Sequence, residues 1–391
     1  MNQKELSELK RRLNPEKRNP SVICGCYVTG QGERLAEFAK PVYSLPQEEN
    51  EKYMAIFKKV LSGSFGQNLL PVDFSAQQVM EGQEHALLST LRESALSDEE
   101  AVEQIWQKVS ECIQYEHAHE AQSLNEAQTA ANYLILMLHD GYDVPYKDNN
   151  GEIDRERSTT VFHYILLAVC PVKQGKDALC YQTVDRDFHS RPADWIVGMP
   201  ETGFLFPAFE ERSANIYQAL YYTKSNGDPH EAFMESLFGA EPLMPAVQQK
   251  ETFQALLEET LEDECSIGVI QTVHDTVCSM IEERKADKNA QPLSITKNDV
   301  KTMLESCGVS AEKQTAFEEK YDQSFGSFAE LPAVNMVTPS RFQVETASVS
   351  IKVDPAHSDL VQTRIIDGKC YIMVLADDNV RVNGVSVKIR E

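Results

Sequence analysis

Four short stretches concentrate side chains able to move protons or hold a metal ion. Asp185-Arg186-Asp187-Phe188-His189 carries the sharpest metal-like pattern. In an extended chain successive side chains alternate, so Asp185, Asp187 and His189 would share one face. Two hard carboxylates and an imidazole suit a divalent ion, with His163 or His139 completing the set from neighbouring strands. Such an ion would lower the pKa of a bound water and make the chain a metal-dependent hydrolase. The competing reading is a polar hairpin tip between Tyr181 and Trp195. Glu116-His117-Ala118-His119-Glu120, read as helix, puts its glutamates on one face and its histidines on different ones. That suits a solvated helix end better than a ligand set. Cys24-Gly25-Cys26 sets two thiols on one strand face, but no second Cys/His pair has zinc-site spacing, so buried thiols are expected. His139-Asp140-Gly141-Tyr142-Asp143 ends an apolar run at a glycine, where a turn with the aspartates bonded to local backbone is expected.

The usual catalytic signatures are absent from the sequence. No phosphate-binding Gly-x-x-x-x-Gly-Lys-Ser/Thr loop occurs, no Gly-x-Gly-x-x-Gly follows a strand, and neither His-Glu-x-x-His nor Gly-x-Ser-x-Gly is present. The reading therefore leans away from an enzyme, and no cofactor is expected. Contact surfaces become the alternative. The stretch 195–209 sets Trp195, Phe204, Phe206 and Phe209 among Pro200, Gly203 and Pro207, a rigidified aromatic loop able to form a partner surface or to wedge a sheet against the helix expected over 213–223. Lys10, Arg11, Arg12, Lys17 and Arg18 form the one dense basic cluster, a solvated helix face or else an anion or partner contact, with Glu5, Glu8 and Glu16 mixed in or beside it. Arg364, Arg381, Lys388 and Arg390 are a lesser basic set. The whole chain of 391 residues has 37 basic and 61 acidic side chains, a formal charge of −24. That charge repels phosphate backbones at long range, so DNA binding would need a local basic patch.

Elements that would position these groups follow from periodicity. Helices are expected over 4–13, 48–61, 84–122 (broken near Ser97-Asp98), 213–223, 250–263, 268–285, 294–306 and 311–325. Extended runs are expected at 21–29, 35–43, 133–139, 162–172, 179–183 and 195–199. Asp367-Gly368 and Asn383-Gly384, each between alternating apolar runs, signal hairpins in a C-terminal antiparallel sheet. The expected class is α+β. The expected domains are 1–226 (mixed, with acidic helices near 84–122 and a sheet near 133–199), 227–330 (helical) and 331–391 (small antiparallel β). No apolar run approaches the ~20 residues of a membrane span. The charged first turn lacks a secretory pattern, and nine scattered cysteines fit reduced thiols. A cytoplasmic protein without membrane association is expected.

Cys24-Gly25-Cys26-Tyr27-Val28, LSGSFGQNLL at 61–70, and His139-Asp140-Gly141-Tyr142-Asp143-Val144-Pro145 resemble, taken together, an uncharacterised bacterial domain-of-unknown-function family. So do 195–209 with Glu211-Arg212-Ser213 and Ile351-Lys352-Val353-Asp354-Pro355, and the resemblance spans nearly the whole chain. It transfers no activity. A more distant resemblance, to the bacterial nucleoid-associated protein family, lies in the order of the runs 133–139 and 162–172, then Pro200-Glu201-Thr202-Gly203-Phe204-Leu205-Phe206 and 211–217. The helix pair 258–285, the segment 292–309 and the small terminal sheet continue it. It implies an acidic cytoplasmic protein acting with DNA or DNA-bound proteins, and carries no site residues. Together these readings give a non-enzymatic protein that binds a macromolecular partner, protein or DNA.

Overall fold

A computed structural model describes residues 1–16, 22–123, 132–147, 153–154, 161–191, 194–376, 380–382 and 385–387. The chain is α+β and forms two compact units, Met1–Pro245 and Ala246–Glu391.

The first unit is built on one antiparallel sheet. Its strands are β1 (Val22–Val28), β2 (Arg34–Pro41), β3 (Leu69–Asp73), β4 (Asn132–Asp143), β5 (Val161–Gln174), β6 (Trp195–Val197), β7 (Thr202–Phe206) and β8 (Gln218–Thr223). They lie in the order β2-β1-β4-β5-β7-β8-β3, and β6 pairs with the far end of β5. The β4–β5 ladder runs unbroken from Asn132↔Val172 to Asp143↔Val161 and is the spine of the unit. Both strands read as continuous apolar runs because both sheet faces are covered. On one face α1 (Gln3–Arg12) and α2 (Gln47–Val60) bury Leu6, Leu9, Phe57 and Val60 against Leu136, Leu138, Leu166 and Leu205. On the other, α4 (Gln83–Glu93), α5 (Glu99–Ser123) and α6 (Glu231–Phe238) bury Leu88, Trp106 and Phe238 against Ile135, Met137, Leu167 and Phe204. The short α3 (Ala76–Glu81) precedes them. Cys24 and Cys26 face this second core, and burial pushes their thiols up to about 11 and about 12.

Several expectations change here. Residues 213–223 are not helical: Ser213–Asn215 pairs with Ala208–Glu210, and β8 sits between β7 and β3. The spacing of Ile216, Tyr217, Leu220 and Tyr221 imitates a helical stripe. The run Leu220-Tyr221-Tyr222-Thr223 is instead buried on both faces, which a central strand requires and aromatic and β-branched residues favour. The helix break near residue 97 is present, but Asp98 caps α5 by accepting from the Ala101 amide at 2.9 Å, whereas Ser97 donates its hydroxyl to the Ser94 carbonyl.

The second unit packs α7 (Ala246–Leu261), α8 (Ile267–Ala286), α9 (Lys297–Ser306) and α10 (Ala311–Ser324) around Leu261, Val277, Val300, Leu304, Phe317 and Tyr321. Ser294–Thr296, read as the start of a helix, is a short strand paired with Glu330–Pro332. The terminal β region forms separate antiparallel hairpins among the described residues: Phe342–Glu345 with Ser350–Val353, Val361–Ile366 with Lys369–Val374, and Arg381–Val382 with Val385–Ser386.

Candidate functional site

An exposed apolar arm grows from the far end of β5. The strand outruns β7, so Val172–Gln174 pair with β6 instead, and Gly175 donates to the Asp194 carbonyl at 2.8 Å to hold the two ends together. Between them the chain makes a hairpin, Ala178–Gln182 against Asp187–Arg191, turning through Arg186 at φ 57°. Leu179, Tyr181, Val184 and Phe188 are exposed on this hairpin, Val184 almost wholly at 96%. Trp195, Ile196, Val197 and Met199 are exposed at its base. The Tyr181 and Phe188 rings meet at 5.3 Å.

The three candidate metal ligands lie on this hairpin. Nε2 of His189 stands 2.6 Å from Asp185 Oδ2, and Asp187 Oδ1 accepts from the Phe188 amide at 2.7 Å. His139 and His163 do not join them. They stack on each other at 5.6 Å near the opposite end of β5, roughly 35 Å away along an extended strand from where the arm begins. Among the described residues no group of three or more His, Cys, Asp or Glu side chains is placed to hold a metal ion.

The aromatic loop divides in two. Trp195 is exposed, as a contact residue must be, whereas Phe204, Phe206 and Phe209 are fully buried. Phe204 and Phe206 belong to β7, which is paired on both edges and covered on both faces. They meet Phe238 at 5.3 Å and Phe74 at 5.9 Å. Phe209 packs on Phe162 at 4.8 Å. These three hold the sheet to its helices, which is the core-packing alternative for the stretch, and leave Trp195 as its exposed aromatic.

The basic cluster is also partly committed to the fold. Arg12 donates from Nε to Asp140 Oδ2 at 3.0 Å and from Nη2 to the Gly141 carbonyl at 2.6 Å. Tyr164, wholly buried, donates to the same Asp140 oxygen at 3.0 Å. Asp140 thus binds side chains from α1 and β5, where local backbone partners were expected. Tyr142 donates to Glu8, which also receives Arg212 Nη1 at 2.9 Å. Burial and the adjacent Glu8 push Tyr142 up to about 12. Lys10 is lowered by burial and by Lys59, and Arg11 is exposed. Lys17, Arg18, Lys388 and Arg390 lie outside the described residues.

One acid–base pair lines a cavity. Nδ1 of His230 stands 3.0 Å from each carboxylate oxygen of Glu116, so Glu116 is a partner of α6 and not a solvated helix end. His230 precedes α6 in the left-handed region at φ 55°, a conformation that costs free energy in a non-glycine residue. Burial opposes its charge, but the bond to Glu116 and the nearby carboxylates of Asp228 and Glu201 outweigh burial and raise its pKa. The cavity, also lined by Tyr133, Glu201 and Thr202, has about 40 Å³. That admits one or a few waters, far below the ~300 Å³ of a small-molecule site. Sequence gave no local sign of the pair, because 114 residues separate its members.

No helix among the described residues is long and apolar enough to cross a membrane. Comparison with curated proteins and with solved structures finds no match. The near full-length resemblance noted in the sequence is matched by the family described as Domain of unknown function (DUF4317), which covers residues 1–385, and the chain belongs to that family.

Proposed function

We propose that this chain is a non-enzymatic cytoplasmic protein that docks a macromolecular partner, most directly a protein, on the arm 178–199. One observation carries the reading: eight large apolar side chains stand exposed on the hairpin and its base. Monomeric proteins rarely leave so much apolar surface together without a use for it. Burying each would contribute about 1.5–3 kcal/mol before ordering costs. A projecting aromatic hairpin offers no concavity for a small substrate, but it matches the anchors that dominate protein interfaces. A two-stranded hairpin is also marginal alone, so a partner would firm it.

Direct DNA contact is less well supported, because Arg12 is bound to Asp140 and Lys10 is half-buried. An association with DNA-bound protein, as the nucleoid resemblance implies, needs no phosphate contact. The test is capture from nuclease-treated lysate with the full chain and with Tyr181→Ser, Phe188→Ser and Trp195→Ser combined. A protein retained by the parent and lost by the variant, at unchanged melting temperature, is expected. Equal capture by both, or capture abolished by nuclease, would reject the reading.

A further inference from the structure

His274, Asp275 and Cys278 lie within one turn of α8 in the second unit and are unused by the function proposed for the arm. His274 is buried, and both of its ring nitrogens meet acceptors. Nδ1 stands 3.0 Å from Asp275 Oδ1 and Nε2 stands 3.3 Å from the Thr338 carbonyl oxygen. A carboxylate and a carbonyl only accept, so the ring satisfies both contacts only when it carries both protons and a positive charge. The bond to Cys278 and the bond to Asp275, which outweigh burial, push its pKa up to about 9. Phe342 closes on the ring edge-on at 5.3 Å, and Ser358 donates to the second Asp275 oxygen at 2.6 Å, which fixes the carboxylate. Lys250 of α7, faced by Arg341, hydrogen-bonds the Thr338 hydroxyl beside this arrangement.

Cys278 completes the constellation. Its Sγ stands 3.8 Å from Nε2 and 3.9 Å from Nδ1 of His274, and the residue is partly exposed. A cation held beside a sulfur that solvent can reach stabilises negative charge on that sulfur, which is the environment of a nucleophilic cysteine. We propose that Cys278 is a reversible thiolation site that takes small-molecule disulfides, with His274 and Asp275 as positioning residues. The Cys278 thiolate attacks one sulfur of the disulfide and a new S–S bond forms. The old S–S bond breaks, and its electron pair leaves on the second sulfur, which takes a proton from solvent. Cys278 is oxidised and the departing half of the reagent is reduced, so no further oxidant is required.

The test is site-resolved mass spectrometry of the full chain after limiting iodoacetamide, and separately after glutathione disulfide, at pH 6.5 and 8.5. Cys370 is the exposed comparison, and Cys265 and Cys307 are partly exposed ones. Cys278 is expected to react first at pH 6.5, about tenfold faster than Cys370. His274→Gln should remove that advantage, and Cys278→Ser should abolish the glutathione adduct formed at pH 6.5. If His274→Gln does not fold, the order in which the cysteines of the parent chain are labelled decides alone. Cys370 reacting first at pH 6.5 would overturn the proposal.

Discussion

At the scale of single residues, the strongest commitments are buried charges whose partners are distant in sequence. Asp140 receives Arg12 and Tyr164, so Asp140→Ala strands a buried hydroxyl and a partly buried guanidinium. Removing one member of such a set costs about 3–5 kcal/mol, and a urea midpoint lowered accordingly is expected. His274 gives a pH dependence. Its folded pKa of about 9 lies above the ordinary 6.5, so its contribution is fully present below about pH 6.5 and lost as pH rises through 9. The urea midpoint of the parent chain should therefore fall between pH 6.5 and 9, and His274→Gln should flatten that fall. A parent midpoint that rises over the window would contradict the charged ring. Residue types exposed little of this. His139-Asp140 was visible as a cluster of ionisable groups, but its partners come from α1 and β5. His274, Asp275 and Cys278 were not singled out in the sequence, because an i, i+1, i+4 spacing on a helix points to chemistry only once Thr338 and Ser358 are seen to close around it.

At the scale of elements, burial of both sheet faces explains what periodicity reveals and what it hides. The strands β1, β4 and β5 and the long helices were readable from apolar runs and 3.6-residue stripes. β8 was not, because a strand buried on both sides shows no alternation, and its aromatic spacing imitates a helix. β7 was taken for a loop because Gly203 lies within Thr202–Phe206. The reason for that glycine is close approach: a Cβ there would lie 2.3 Å from the Leu167 carbonyl oxygen and 3.1 Å from Val60. Gly203→Ala should lower stability by about 1–3 kcal/mol, measured by the urea midpoint. A midpoint equal to that of the parent would show that the sheet yields there. The terminal hairpins were legible from Asp367-Gly368 and Asn383-Gly384, but not their separation, since turn chemistry fixes a hairpin and says nothing of its neighbours. Ile365, Ile366, Tyr371 and Val374 remain exposed on the hairpin 361–374. Amides there should exchange with solvent at least about a hundredfold faster than those in the β4–β5 ladder.

At the scale of the whole molecule, the cavity at Glu116 and His230 has about 40 Å³, and a wider groove of about 420 Å³ lined by Gln83, Leu87, Thr90, Asp98 and Gln104 is open to solvent. The −24 charge disfavours phosphate backbones at long range, and the outstanding unpaired feature of the first unit is apolar. Sequence grouped Trp195 with Phe204, Phe206 and Phe209 and left both a core and a partner role open for them, because composition alone does not separate an exposed aromatic from a core one. The hairpin with Leu179, Tyr181, Val184 and Phe188 was instead read for its aspartates and histidine. The most direct measurement is amide hydrogen exchange over 178–197, in the free chain and in the complex captured from nuclease-treated lysate. Protection of that segment on capture, with the exchange of β4 and β5 unchanged, is expected. Unchanged exchange over 178–197, with protection gained elsewhere, would contradict docking through the arm.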